Sequence, residues 1–162
     1  MSSASVEFIP FRFEIKLYSG DATSGTPICS GAFSEVTGFE FTMTPKSLQE
    51  GGRNWGEIQL AGNTKFAAIT LKRGITNIRD LYEWFDVTSR QANYAFRITG
   101  LINVYDQAHI GAEGLTPLLR WKITRAIATK FKGPDLSATA SQVAIEELQL
   151  MHEGLVLLKE GE

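Results

Sequence analysis

Two adjoining stretches decide how this chain is read: Phe131-Lys132-Gly133-Pro134-Asp135-Leu136, and the run Val143-Ala144-Ile145-Glu146-Glu147-Leu148-Gln149-Leu150-Met151-His152-Glu153-Gly154-Leu155 that follows it. The first groups Gly, Pro and Asp, which is turn chemistry. The second is amphipathic and carries no visible reaction chemistry. Ala144, Leu148, Met151 and Leu155 fit a helical stripe, whereas Leu148, Leu150 and His152 against Glu147, Gln149 and Glu153 fit a strand. Glu and Leu favour a helix by propensity, so the residues alone leave both readings open. On either one, the run builds a surface to lay against something else.

The rest of the chain reads mainly as strands. From Phe8 to Tyr18, Phe11, Phe13, Ile15 and Leu17 alternate with Arg12, Glu14 and Lys16, the period of a half-buried strand. Turn formers from Ser19 to Pro27 then reverse the chain before a second stretch around Ile28. Phe33 to Met43 is a third extended run, with Phe33 and Glu35 on one side and Val36 on the other. Gly38 marks a bulge or bend in it, past which Phe39 and Phe41 alternate with Glu40 and Thr42. Thr44 to Asn54, including Lys46, Ser47, Leu48, Gln49, Glu50, Gly51, Gly52 and Arg53, is a polar loop, long for a hairpin connection. Trp55 to Leu60 and Lys65 to Lys72 read as two further strands joined by an Ala61-Gly62-Asn63-Thr64 turn.

One helix is expected over about residues 77–87. Asn77 is placed to cap it, Asp80 to complete a capping box, and Ile78, Leu81, Tyr82 and Phe85 to form its apolar stripe. Tyr94 to Tyr105 and Leu118 to Ile127 complete the set of strands.

At 162 residues with 43% hydrophobic content, the chain fits a single domain spanning 1–162 that needs no metal or disulfide to hold its core. The only cysteine, Cys29, has no internal disulfide partner and is expected to be a half-buried thiol. Sixteen basic against eighteen acidic side chains give a net charge of −2, which disfavours a nucleic-acid partner held by a basic face. The start lacks the basic and apolar regions of a secretory signal, and no apolar run approaches a membrane span. Synthesis as a soluble cytoplasmic protein without stable membrane insertion is the expectation.

The search for a reaction site yields little. His109 and His152 lie at metal-ligand spacing neither with each other nor with Cys29, so no metal or cofactor is expected. Ser34-Glu35 lacks a nucleophile-elbow signature, and Gly51-Gly52-Arg53-Asn54-Trp55-Gly56 lacks the lysine of a phosphate loop. An enzyme would have to draw on Glu35, His152 or Cys29. Glu146-Glu147 reads as a solvated or lumen-lining edge, since neighbours on a strand point to opposite faces. Aromatic side chains sit at core periodicity without interleaved basic residues, which is packing and not base stacking.

Several blocks together resemble one family. Pro10-Phe11-Arg12-Phe13-Glu14-Ile15 and Phe33-Ser34-Glu35-Val36-Thr37-Gly38-Phe39-Glu40 resemble the first strands of the tail tube proteins of contractile phages and of phage-tail-like contractile injection systems. Glu50-Gly51-Gly52, then Leu60 to Phe66, Ile69 to Thr76 and Leu81-Tyr82-Glu83-Trp84-Phe85 are similar to the family's middle. Lys132 to Ala138 and Val143 to Leu155 resemble its end most specifically. The segment from Asp106 to Leu118 departs from the pattern, being longer and richer in glycine, as in a specialised baseplate-proximal paralogue.

The resemblance implies a mainly β fold, an antiparallel β-barrel or sandwich with one flanking helix, related to phage and type VI secretion tube subunits. It implies that the final run is a strand, with a polar face toward a lumen. Further implications are six copies closing into a ring, rings stacking into a hollow tube inside a contractile sheath, and no catalysis. The partners would be sheath, baseplate or hub and tube-terminator proteins, with protein or DNA passing through the lumen. A ring that continues its sheet across subunits also removes exposed edges. Residues 44–54, and Lys46 to Arg53 in particular, become the expected ring-stacking or subunit contact. The alternatives are a baseplate-proximal tube initiator and a free hexameric ring that carries effectors, as in type VI secretion. Replacing Gly133 and Pro134 is expected to harm folding or ring closure.

Overall fold

A computed structural model describes residues 12–31, 33–75, 77–105, 116–139, 141 and 143–159. Twelve strands and one helix follow in chain order: β1 (Arg12–Ser19), β2 (Cys29–Gly31), β3 (Glu35–Thr37), β4 (Phe41–Met43), β5 (Lys46–Leu48), β6 (Ile58–Leu60), β7 (Thr64–Phe66), β8 (Ile69–Gly74), α1 (Asp80–Ser89), β9 (Ile98–Tyr105), β10 (Leu119–Lys132), β11 (Ile145–Met151) and β12 (Gly154–Leu158). The main sheet runs β2-β1-β9-β10-β11-β8-β3, every pairing antiparallel, with β12 also paired to β10. Its two end strands, β2 and β3, are separated in the chain by residues 32–34 alone. The path therefore curls back on itself as a barrel, the fold class expected.

The final run is strand, and the reason is tertiary. β11 lies between β8 and β10 with its register fixed on both sides, so Leu148 and Leu150 enter the core while Glu147 and Gln149 face outward. Two hydrogen-bonded neighbours outweigh the modest helix propensity of Glu and Leu. The run is not one unbroken strand. It bends at His152-Glu153, opposite Arg125, whose φ of 50° places a non-glycine residue in the left-handed region. Glu153 donates its backbone N–H to the Thr124 carbonyl at 3.0 Å and accepts from Arg125 Nε at 2.8 Å, pinning the corner. There β10 passes from the part of the sheet shared with β9 and β12 to the part shared with β11.

Ile15, Leu17, Ile69, Leu71, Leu81, Ile98, Ile102, Ile123, Leu148 and Leu150 form the fully buried core. Each contributes about 1.5–3 kcal/mol of transfer free energy. The alternation expected for the first strand holds for Phe13, Ile15 and Leu17; Phe8 and Phe11 lie outside the described residues.

Several expectations are corrected. Phe131 and Lys132 belong to β10, five residues longer than expected at its C-terminal end, and the turn begins at Gly133. A Cβ on Gly133 would meet nothing, so that glycine is under no steric constraint. The helix starts at Asp80, not Asn77, and its N-cap residue, Arg79, provides no side-chain cap. Asp80 Oδ1 accepts from the Leu81 N–H at 2.9 Å while the same carboxylate binds Arg73, so it does not act in a capping box. The helix buries Leu81 and Trp84, while Ile78 and Tyr82 are exposed. Cys29 is fully buried, not half-buried.

Ala61 to Thr64 is not a reversal. β5 pairs with β6, and β4 with β7, so residues 41–66 form one long hairpin interrupted midway by Thr44-Pro45 on one side and Ala61-Gly62-Asn63 on the other. Lys46 to Leu48 is strand, and the loop shrinks to the tip between Leu48 and Ile58. Gly38 is the break the sequence anticipated. At φ 100°, a Cβ there would overlap the Ala68 carbonyl, so only glycine lets β3 stay on the main sheet while β4 leaves it.

Candidate assembly surfaces

The hairpin of residues 41–66 projects from the barrel as an arm. From Phe39 to Phe66 no residue is buried. Yet the arm is amphipathic: Phe41 opposes Phe66, Met43 opposes Thr64 and Leu48 opposes Ile58, while Thr42 against Lys65 and Ser47 against Gln59 form the other face. Phe41, Met43, Leu48 and Leu60 are about half exposed, and Trp55 at the tip is 91% exposed. An isolated two-stranded hairpin is marginal in water, and so many exposed apolar side chains on one arm make it a candidate interaction surface.

Aromatic contacts anchor only the base. Phe39 packs on Trp121 at 5.6 Å between ring centroids, and Phe66 on His152 at 5.2 Å. All eight residues from Lys46 to Arg53 lie on this arm, three in β5 and five in the exposed tip, where Arg53 N–H reaches the Glu50 carbonyl at 3.3 Å. The exposed apolar residues Phe41, Met43, Trp55 and Leu60 on the same arm were not singled out from the sequence, although apolar alternation flanking a polar loop marked them. In Gly62 a Cβ would overlap the Thr44 carbonyl where the two sides of the arm come closest. Gly62→Ala is therefore expected to distort the arm and impair assembly while leaving the barrel's melting temperature nearly unchanged, checked by circular dichroism beside electron microscopy.

A second surface lies on the outward face of β3, β8, β11 and β10. The register sets Glu35 beside Lys72, Lys72 beside Glu147 and Glu147 beside Lys132, a row of alternating charge across four strands. Lys72 Nζ lies 2.9 Å from Glu35 Oε2, and this hydrogen bond pushes the lysine pKa up. Thr37, Thr70, Gln149 and Lys130 make the next row. The face is not wholly polar, because Ile145 and Met151 also point outward.

Beneath it, on the core side, Arg73 is buried between two carboxylates. Its guanidinium reaches Glu146 Oε1 at 2.7 Å and Asp80 Oδ1 at 2.7 Å, and stacks 5.7 Å from the Phe33 ring. Glu146 is thus buried and paired, not the solvated edge expected of it. Burial opposes the charge on Asp80, but the hydrogen bond from Arg73 outweighs it and holds the carboxyl below its ordinary pKa of 3.8. Burial, then the hydrogen bond to Asp80, pushes the Cys29 thiol up.

The three groups an enzyme would need are not brought together. Cys29 faces the core beside Asp80, Glu35 is outward on Lys72, and His152 is buried at the β11–β12 bend against Phe66. His109 and residues 106–115 of the divergent segment lie outside the described residues.

The fold, an antiparallel β architecture with one helix, has known counterparts. The profile of the T4-like virus tail tube protein gp19 matches residues 9–156. The chain belongs to that tail tube family. A tail tube protein is a structural component of a phage tail or tail-like particle. Among solved structures, a chain of the anti-feeding prophage baseplate, 6-fold symmetrised, is similar at a TM-score of 0.75 with 23% identity, covering 100% of both chains. A chain of the sheath-tube complex of an extracellular contractile injection system is similar at 0.74 with 20% identity, covering 96% of this chain and 93% of that one. Hcp1 from Flavobacterium johnsoniae shares the fold more distantly, at 0.55 and 14% identity over 91% and 94%. No curated protein sequence matches the chain.

Proposed function

We propose that this tail tube protein is the repeating inner-tube subunit of a contractile injection system or contractile tail. Six copies close into a ring, and rings stack through the arm into a hollow conduit within a sheath. The observation that carries the reading is the amphipathic arm with no buried residue from Phe39 to Phe66, whose apolar face needs a partner. The count of six is supported by the fold shared with the 6-fold symmetrised baseplate chain. In this ring the charge-alternating outward face of β3, β8, β11 and β10 lines the lumen. The protein performs no catalysis, is made in the cytoplasm, and meets sheath, baseplate and terminator proteins at assembly, with protein or DNA as cargo.

Electron microscopy of the purified protein, alone and with sheath and baseplate components, tests this. Rings that stack into tubes are expected. Monomers under all conditions would sink the reading. Rings that never stack would favour a free effector-carrying ring, and tubes that form only on a baseplate would favour a baseplate-proximal initiator, the role suggested by the likeness to the baseplate chain.

A further inference from the structure

Among the described residues, Ala92 and Arg125 are the non-glycine positions with positive φ, and of the two only Arg125 lies within a strand. β10 bulges there. Ile123 pairs with Gly100 and Ala126 with Ile98, so Thr124 and Arg125 together oppose Thr99. At φ 50°, Arg125 takes the left-handed conformation that bulges of this kind give to glycine. Holding a branched backbone there costs free energy, so the arginine side chain has a use that glycine could not serve.

That use is not stability. Arg125 Nε lies 2.8 Å from Glu153 Oε2, but both side chains are about half exposed, and an exposed ion pair adds too little to folding to offset the backbone cost. What the pair fixes is geometry. Glu153 is the residue after His152, and its N–H is bonded to the Thr124 carbonyl, so the bulge of β10 and the β11–β12 corner are tied together. His152 is buried at that corner, with Nδ1 donating to the Gly154 carbonyl at 3.1 Å, and its ring lies 5.2 Å from that of Phe66 at the base of the arm. Arg97 lines the same cleft, but its Nη1 is engaged by the carbonyls of Tyr94 and Phe96, which leaves Arg125 as the cation on Glu153. Resting on the reading that rings stack through the arm, we propose that Arg125 is a positioning residue. Strained at the bulge, it clamps Glu153 so that His152 and Phe66 hold the arm in one direction relative to the barrel.

Glycine at this position separates stability from assembly. Arg125→Gly removes the strain and the clamp together, so its melting temperature should equal or exceed that of the parent, while electron microscopy shows rings without tubes. Glu153→Ala removes the clamp and leaves the strain, so it should lose tubes likewise and melt below Arg125→Gly. Parent-like tubes from either variant would overturn the proposal. A melting temperature for Arg125→Gly below that of the parent would also overturn it, because the residue would then serve folding. The direction of the arm can be read without stacking, by nitroxide labels in S47C/K130C and a pulsed electron-resonance distance measurement. The buried Cys29 takes no label. The distance distribution should be narrow in the parent and broaden when Arg125→Gly is added. Equal widths would overturn the clamp whatever the tubes do. A parent that never stacks, with the widths differing as expected, would remove stacking through the arm and still support the clamp.

Discussion

Replacing Arg73 by alanine is expected to lower the stability of the folded chain by about 3–5 kcal/mol, the cost of removing one partner from a buried ion pair. Arg73 is 4% exposed and is the cation shown binding both Asp80 and Glu146. Without it, two carboxylates and the Cys29 thiol are left in a site with little water. For a domain of this size the loss corresponds to a fall in melting temperature on the order of 10 °C. The pH dependence distinguishes this cause from lost packing. In the parent protein the folded pKa of Asp80 is depressed, so its contribution is present above the ordinary value of 3.8 and is lost as pH falls through the folded value. In Arg73→Ala the same buried carboxylate has lost its cation, and burial favours its proton. The variant then gains where the parent loses, and the two melting temperatures should converge on acidification from pH 7 toward about pH 4. A difference that stays constant across that range would show that the guanidinium acts by filling space. Glu146→Gln should cost less, because Asp80 still neutralises Arg73.

Excising the distal arm should produce the opposite pattern, with folding kept and assembly lost. Removing residues 46–60 and closing Pro45 to Ala61 through an Asn-Gly turn deletes β5, the tip and β6, none of which contains a buried residue. Phe39, Phe41 and Phe66 remain at the base, so the contacts with Trp121 and His152 survive. The melting temperature is expected to stay within a few degrees of the parent, as for surface changes away from packed groups. Tubes should be absent while ring formation persists, read by electron microscopy and sedimentation. Deleting only Lys46 to Gly52 should give the same loss of stacking, but it strands β6 without its partner and so risks aggregation. Full-length tubes from the excised variant would show that rings stack through another surface.

The arm proposed as the contact region was legible only in part. Lys46 to Arg53 stood out because a long polar loop in a compact domain calls for a use, and these residues do lie on the unpacked arm. That Lys46-Ser47-Leu48 is a strand was not legible, because nothing in three residues of mixed polarity identifies a partner ten or more positions away at Ile58 to Leu60. The helix stripe was misjudged for a related reason. Ile78 and Tyr82 have the right spacing, but what buries a helical side chain is the element beneath it, and here that element meets Leu81 and Trp84.

By itself the sequence determined the β character of the chain, through the alternation from Phe13 to Leu17 and from Leu119 to Ile123, and the break at Gly38, where a side chain would strike a carbonyl. Its ordered blocks also identified the family. Periodicity left the run from Val143 to Leu155 open between helix and strand and the family resemblance implied a strand; the tertiary structure supplies the physical reason, hydrogen-bonded neighbours on both sides of β11. It also decided that Glu146 turns inward. Alternation reports which side chains share a face, but a carboxylate is stable on the buried face only when a cation such as Arg73, 73 positions away, meets it there.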